Sequence, residues 1–322
     1  MFQYLSQSPI FAQIVLLRQH QRHVSHPPAC IIGFFDTCLA IMRLVVQGSS
    51  LQADHLEKIR ALCGNPKPFI PITPQAFYLP AQQTLPVEVA SYAQQQNLDC
   101  TLVKDAHTLQ HFGLAVMDMD STLINIECID EIADMYNLKP QVAAITESAM
   151  RGEIEFAESL RQRVALLKGL DESALHRVVD ERLQLNPGAH DWITACKKNG
   201  IKTMLVSGGF DFFAERVQAL LGLDYAQANS LEIIDGKLTG RILGNIVDAQ
   251  AKADFLISLR DELGLAASQT VAIGDGANDL KMMAVAACGV AYHAKPIVQS
   301  QASYALNHSG LDGITHLFSF NQ

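Results

Sequence analysis

Two aspartates two residues apart, Asp118 and Asp120, follow the apolar run Leu114-Ala115-Val116-Met117 and precede Ser121-Thr122. A short apolar run of this kind reads as a buried strand of a parallel sheet. Ligands of open α/β sheets bind beyond the carboxyl ends of the strands, so both acids stand where chemistry is done. Like charges crowded at one strand end need a cation or a proton to neutralise them. Hard carboxylate oxygens suit Mg²⁺ far better than a soft metal. One aspartate can then attack phosphorus while its neighbour handles the leaving-group proton. An Asp-x-Asp pair alone is equally a surface turn capping a helix.

Three further groups could serve the same chemistry. Ile201-Lys202-Thr203-Met204-Leu205-Val206 reads as a strand that ends in Ser207-Gly208-Gly209. A hydroxyl and bare amides make a phosphate cradle, above all where a helix begins, here from Asp211. Lys252 opens a helix closed by Gly264; such a lysine is ordinarily a solvated charge. Thr270-Val271-Ala272-Ile273-Gly274 is another apolar strand, followed by Asp275-Gly276-Ala277-Asn278-Asp279.

The string Asp118-Met119-Asp120-Ser121-Thr122 resembles the first motif of the haloacid dehalogenase superfamily, in the variant of its phosphoserine phosphatase branch. Ser207, Lys252 and the Gly274–Asp279 loop are similar to the second, third and fourth motifs, in the same order. The resemblance covers about residues 110–322. It implies a Mg²⁺-dependent phosphomonoesterase that hydrolyses O-phospho-L-serine, the last step of serine biosynthesis. In that family's terms Asp118 is the nucleophile and Asp120 the acid and base. Asp118, Asp275 and the Asp120 carbonyl hold the metal, and Asp279 supports that shell or Lys252. Ser207, Gly208 and Lys252 receive the phosphoryl group, and Asn278 contacts the phosphate or the substrate.

The segment after Asp120 runs some 80 residues before the next clear strand. Helical periodicity near residues 126–136, 141–148, 155–168 and 172–183 makes it an insertion, at about residues 125–190, with Asn125 as its first helix cap. In the superfamily such an insertion is a cap that closes over the site. The resemblance implies that Glu127 and Arg163 hold the amino and carboxylate ends of the substrate, with Met150 and Phe156 as apolar lid residues. A carboxylate does suit an ammonium, and Arg grips a carboxylate with two parallel bonds. Spacing alone equally allows exposed helix charges.

The elements that position these residues alternate strand and helix, which predicts a three-layer, Rossmann-like α/β core at residues 109–322. The pair Asp235-Gly236 predicts a tight structural hairpin, and residues 289–292 and 304–306 two more strands. Residues 1–108 read as a small α+β domain. Its strands fall at residues 30–35, 40–46 and 99–103, its helices at 51–62 and 87–96. Pro66 to Pro86 punctuate a loop-rich stretch with one or two strands. The phosphatase family includes amino-acid-binding regulatory (ACT-like) domains of βαββαβ type, loosely compatible with this. Packing against the core, homodimer formation and regulation are all open to the segment, packing first. His20, His23 and His26 have no second cluster to suggest a metal, so a solvated terminal segment is expected there.

The 322 residues are 49% apolar and 18% charged, enough for a sizeable core. A net charge of −9 argues against a general nucleic-acid binder. Seven scattered cysteines without a C-x-x-C pair suggest reduced thiols in the cytoplasm. Neither a signal pattern nor a membrane-spanning run is apparent. Three alternatives remain open: phosphoryl transfer to another alcohol such as homoserine, another small phosphomonoester as substrate, and an amino-acid-binding or aspartate-phosphorylated regulatory protein.

Overall fold

A computed structural model describes residues 41–319. The expected strand at residues 30–35 and the three histidines before it lie outside the described residues.

The chain first forms β1 (Met42–Gln47), α1 (Ala53–Cys63), β2 (Ile70–Thr73), β3 (Ala76–Pro80), α2 (Val87–Gln95) and β4 (Asp99–Lys104). The strands pair antiparallel in the order β2-β3-β1-β4. Pro71 is accommodated because β2 is an edge strand, where a missing N–H costs no ladder bond. Alternation along β1 sorts its side chains. Leu44 and Val46 pack with Ile59 and Val89 of the two helices, while Val45 faces away and joins the main core with Met117 and Trp192.

Arg43, wholly buried, ties this sheet down. It donates to the carbonyls of Lys104, His107 and Leu317 at 3.2, 3.0 and 2.8 Å and pairs with Asp105 at 3.2 Å. At the other end of the sheet Asp99 accepts the backbone N–H groups of Asn307, His308 and Ser309 at 2.7, 3.2 and 2.8 Å.

The main sheet holds β5 (Leu114–Met117), β6 (Lys202–Phe210), β7 (Tyr225–Ile234), β8 (Lys237–Leu243), β9 (Thr270–Gly274), β10 (Cys288–Tyr292) and β11 (Tyr304–Leu306). Their order is β11-β10-β9-β5-β6-β7-β8, parallel except for the β7–β8 hairpin. Period-two alternation divides the core into two layers. Leu114, Val116, Val206 and Ala272 pack on one face with Leu256, Met282 and Val298. Ala115, Met117, Leu205 and Ile273 pack on the other with Trp192, Phe213 and Ile314.

Between β5 and β6 the chain makes four helices, α3 (Cys128–Met135), α4 (Lys139–Met150), α5 (Phe156–Leu166) and α6 (Ser173–Glu181), before α7 (Ala189–Lys198) returns it to the sheet. Asn125 does not cap α3; Glu127 holds that position. The Asn125 backbone donates to Gln184 at 3.0 Å, and its side chain accepts from Gln184 N at 3.2 Å. Asn125 thus binds the outgoing chain of the insertion to the returning one and is committed away from the helix. Asp235 and Gly236 turn β7 into β8 with positive φ at both residues, the geometry of a two-residue hairpin. Gly169 N donates to Leu238 O at 2.7 Å and Glu172 N to Gly236 O at 2.8 Å, so the hairpin braces the insertion.

The remaining helices are α8 (Asp211–Leu221), α9 (Ala249–Glu262), α10 (Leu280–Val285), α11 (Pro296–Gln299) and α12 (Asp312–Phe318). The sequence reading did not anticipate α12, which buries Ile314, Leu317 and Phe318 in the main core. Among the described residues no helix is long and apolar enough to cross a membrane.

Candidate active site

The carboxyl ends of β9, β5 and β6 lie side by side and deliver Asp275, Asp118 and Ser207 to one cavity of about 500 Å³. Asp118 follows the last residue of β5 and extends the ladder, its N–H donating to Ile273 O at 3.0 Å. Its side chain, nearly buried, accepts from Met119 N at 2.7 Å. After it the backbone turns sharply through residues Met119–Leu123, with Ser121 in the left-handed region at φ 57°. That turn brings Asp120 back to the cavity and aims the Ser121 hydroxyl at Glu127, to which it donates at 2.8 Å.

Lys252 lies beneath the acids, wholly buried, its ammonium 2.8 Å from Asp118 Oδ1 and 2.8 Å from Asp279 Oδ1. Burial opposes its charge, but Asp118 and Asp279 more than offset that and push its pKa up. The second Asp279 oxygen accepts from Gly276 N at 3.1 Å. Asp279 therefore anchors the lysine and the loop rather than facing the cavity. Its carboxyl is held up at about 7 by burial and then by Asp118.

Oxygens of Asp118, Asp275 and Asp279 all lie within 4.8 Å of one another. Burial, then Asp118, holds the Asp275 carboxyl up at about 7. Crowded, desolvated oxygens of this kind fit a hard divalent cation. Thr122 Oγ1 donates to Asp275 Oδ1 at 3.0 Å, fixing one oxygen. Asn278 Nδ2 stands 3.4 Å from Asp118 Oδ2.

Asp120 is pushed well above the usual carboxylate range, first by burial and then by the Glu127 charge. Cys128 N, 3.4 Å away, is its weak backbone donor. Raising a carboxyl in this way favours its protonated form, the form that can give a proton to a departing alkoxide. Gly209 leaves room for it: a Cβ there would stand 2.8 Å from Asp120 Oδ2. Gly209 N donates to Ser207 Oγ at 2.9 Å. Asn229 holds the Gly208 carbonyl at 2.8 Å and accepts from Val247 N at 2.8 Å, so β7 sets the shape of the cradle.

The insertion supplies the far wall. Glu127 is pushed up by burial despite its Ser121 bond. Arg163 bonds Ser159 O through Nε at 3.4 Å, which leaves the rest of its fork turned to the cavity. Burial lowers the Arg163 pKa against the pull of Asp130, Glu127 and Asp120. Phe156 lies over the cradle, its ring tip 3.0 Å from where a Gly208 Cβ would be. Met150 lines the rim and is 68% exposed. Each residue assigned above to catalysis, metal or substrate thus lies at the cavity or at the lysine beneath it. Thr122, Asp130, Thr146, Asn229 and Lys295 were not singled out. Thr122 lay inside the first motif; the others carry no local signal.

Comparison with known proteins agrees with this geometry. The family model for haloacid dehalogenase-like hydrolases matches residues 115–284. A phosphoserine phosphatase of Polaromonas is 53% identical over 214 residues, which is 65% of this chain and 91% of the relative. The unliganded crystal structure of a probable phosphoserine phosphatase from Vibrio cholerae superposes with a TM-score of 0.76 at 38% identity, covering 87% of this chain and 86% of that one. A phosphoserine phosphatase solved as a phospho-aspartyl intermediate analogue matches with a TM-score of 0.61 at 38% identity, over 65% of this chain and 99% of that one. The chain belongs to the haloacid dehalogenase-like hydrolases, in their phosphoserine phosphatase branch.

Proposed function

We propose that the protein is a Mg²⁺-dependent phosphoserine phosphatase that releases L-serine and phosphate, the closing step of serine synthesis. The observation that carries this is the pairing of Asp118, gripped by buried Lys252 at 2.8 Å, with a desolvated Asp120 beside it in the same cavity.

Asp118 attacks phosphorus and the ester P–O bond breaks, leaving the phosphoryl group on Asp118. The proton of Asp120 passes to the departing serine oxygen. Asp120 then takes a proton from the incoming water, whose oxygen attacks phosphorus, and the acyl-phosphate bond to Asp118 breaks. Lys252, Ser207 and the Gly208 amide counter the charge on the phosphoryl oxygens, the largest contribution in such transfers. Asp118 and Asp275 would hold the Mg²⁺, which supplies further charge neutralisation at the phosphoryl group. Glu127 takes the substrate ammonium and Arg163 its carboxylate, while Met150 and Phe156 cover the apolar stem and exclude water.

The test is phosphate release from O-phospho-L-serine against a panel of phosphomonoesters, with Mg²⁺ and with chelator. Metal-dependent preference for phosphoserine is expected. Metal-dependent release from other esters, with phosphoserine poor, would keep the chemistry and remove the assignment of Glu127 and Arg163. Product carrying phosphate on an added alcohol such as homoserine would instead mark a phosphotransferase.

A further inference from the structure

On the function proposed above, the cavity must admit a phosphate dianion, yet its walls are acidic. Asp118, Asp120, Glu127, Asp130 and Asp275 line it, against the cations Arg163 and Lys295, in a chain of net charge −9. Arg163 is half-buried on the insertion side, and Lys252 is sealed beneath the acids. Neither meets the substrate first. Lys295 is exposed at the mouth, on the loop between β10 and α11. Its amino group has no ion pair or hydrogen bond among the described residues. Its backbone is nonetheless fixed, the Lys295 carbonyl accepting from Val298 N at 2.9 Å and Gln299 N at 3.1 Å. A pinned base with a free, flexible, charged stem is suited to capture an anion at varied positions.

The strand order sets its side of the site. β10 neighbours β9, so Lys295 stands on the Asp275 flank of Asp118, and the Ser207 cradle on the opposite flank. An anion arriving over Asp275 and Asn278 meets Lys295 before the cradle. The geometry points to Lys295 as the residue that captures the phosphate dianion at the mouth and draws it past the carboxylate ring. It acts on encounter and on product retention, not on the bonds that break. Such steering is sensitive to salt, because the screening length falls from about 30 Å at about 0.01 M to about 8 Å at about 0.15 M.

The experiment compares wild type with Lys295→Met, Lys295→Glu and Lys295→Arg in phosphoserine turnover at low and physiological ionic strength. Inhibition by inorganic phosphate is measured beside it. In Lys295→Met the KM for phosphoserine and the phosphate inhibition constant should both rise about tenfold at low salt, with kcat changed by less than about twofold. The defect should shrink at the higher salt, deepen in Lys295→Glu and be largely rescued in Lys295→Arg. Unchanged KM and phosphate inhibition in Lys295→Met, or a fall in kcat at constant KM, would overturn the role. A wild-type protein inactive on phosphoserine would overturn the substrate assignment instead. Phosphate inhibition of whichever ester is hydrolysed would still read Lys295.

Discussion

The ammonium of Lys252 lies 2.8 Å from Asp118 Oδ1 in a place without water access, 134 residues along the chain from the acid it neutralises. It is shared with Asp279 at the same distance, so one buried cation serves two buried acids. Removing it strands both. In Lys252→Met turnover should fall by about a thousandfold, and denaturant unfolding should show a loss of about 3 kcal/mol or more. Adding Asp279→Asn should recover part of the stability and none of the turnover. Full activity in Lys252→Met would remove the lysine from the phosphoryl site.

Arg163 should decide what the substrate carries beyond its phosphate. Arg163→Ala is expected to raise the KM for phosphoserine by about a hundredfold, the worth of a charge-assisted bidentate contact. Turnover of O-phosphoethanolamine, which has no carboxylate, should change little. An equal loss on both substrates would place Arg163 elsewhere in the reaction.

Gly209→Ala tests how tightly Asp120 is placed. The added methyl would meet Asp120 Oδ2 at 2.8 Å, so the acid must move. A shift of that size should lower kcat by about a hundredfold while circular dichroism stays native.

The Ser159 hydroxyl is buried and has no hydrogen-bond partner among the described residues. An unsatisfied buried hydroxyl costs stability rather than adding it. Ser159→Ala should leave the unfolding midpoint unchanged or raise stability by about 1 kcal/mol. A clear loss in chemical denaturation would contradict the orphan assignment.

His107 predicts an acid weakness. Burial, with Lys104, His111 and Arg43 nearby, pushes it from 6.5 down to about 4, and Tyr304 Oη stands 2.7 Å from its Nδ1. Between those values the unfolded chain binds a proton that the folded chain refuses. Its contribution is therefore full above about 6.5 and lost as pH falls toward about 4. Unfolding followed across that window should show a flatter profile for His107→Gln than for wild type.

Residues whose role follows from their place at a strand end were legible before any coordinates. Asp118, Ser207 and Asp275 each end an apolar run, and a parallel sheet brings such ends together. Glu127 and Arg163 could be named only through a resemblance, because a helix charge looks the same whether it faces a ligand or water. Lys295 was illegible for the same reason, and Asn229 because its partners, the Gly208 carbonyl and Val247 N, lie across the sheet order, which local pattern does not encode. Asn125 misled because its residue type suits a helix cap, while the pairing with Gln184 that claims it is 59 residues distant. Helix α12 is seven residues long, too short for a periodic signal to stand out.

The bond from Arg43 to the Leu317 carbonyl spans 274 residues. On the ribosome, a nascent chain will have made its first sheet long before the acceptor for that buried guanidinium has been synthesised. The early sheet must wait, half-finished, for α12. Completing the first sheet's buried anchor is then an event of the fold as a whole rather than of any one segment, since β1 and α12 must both be in place.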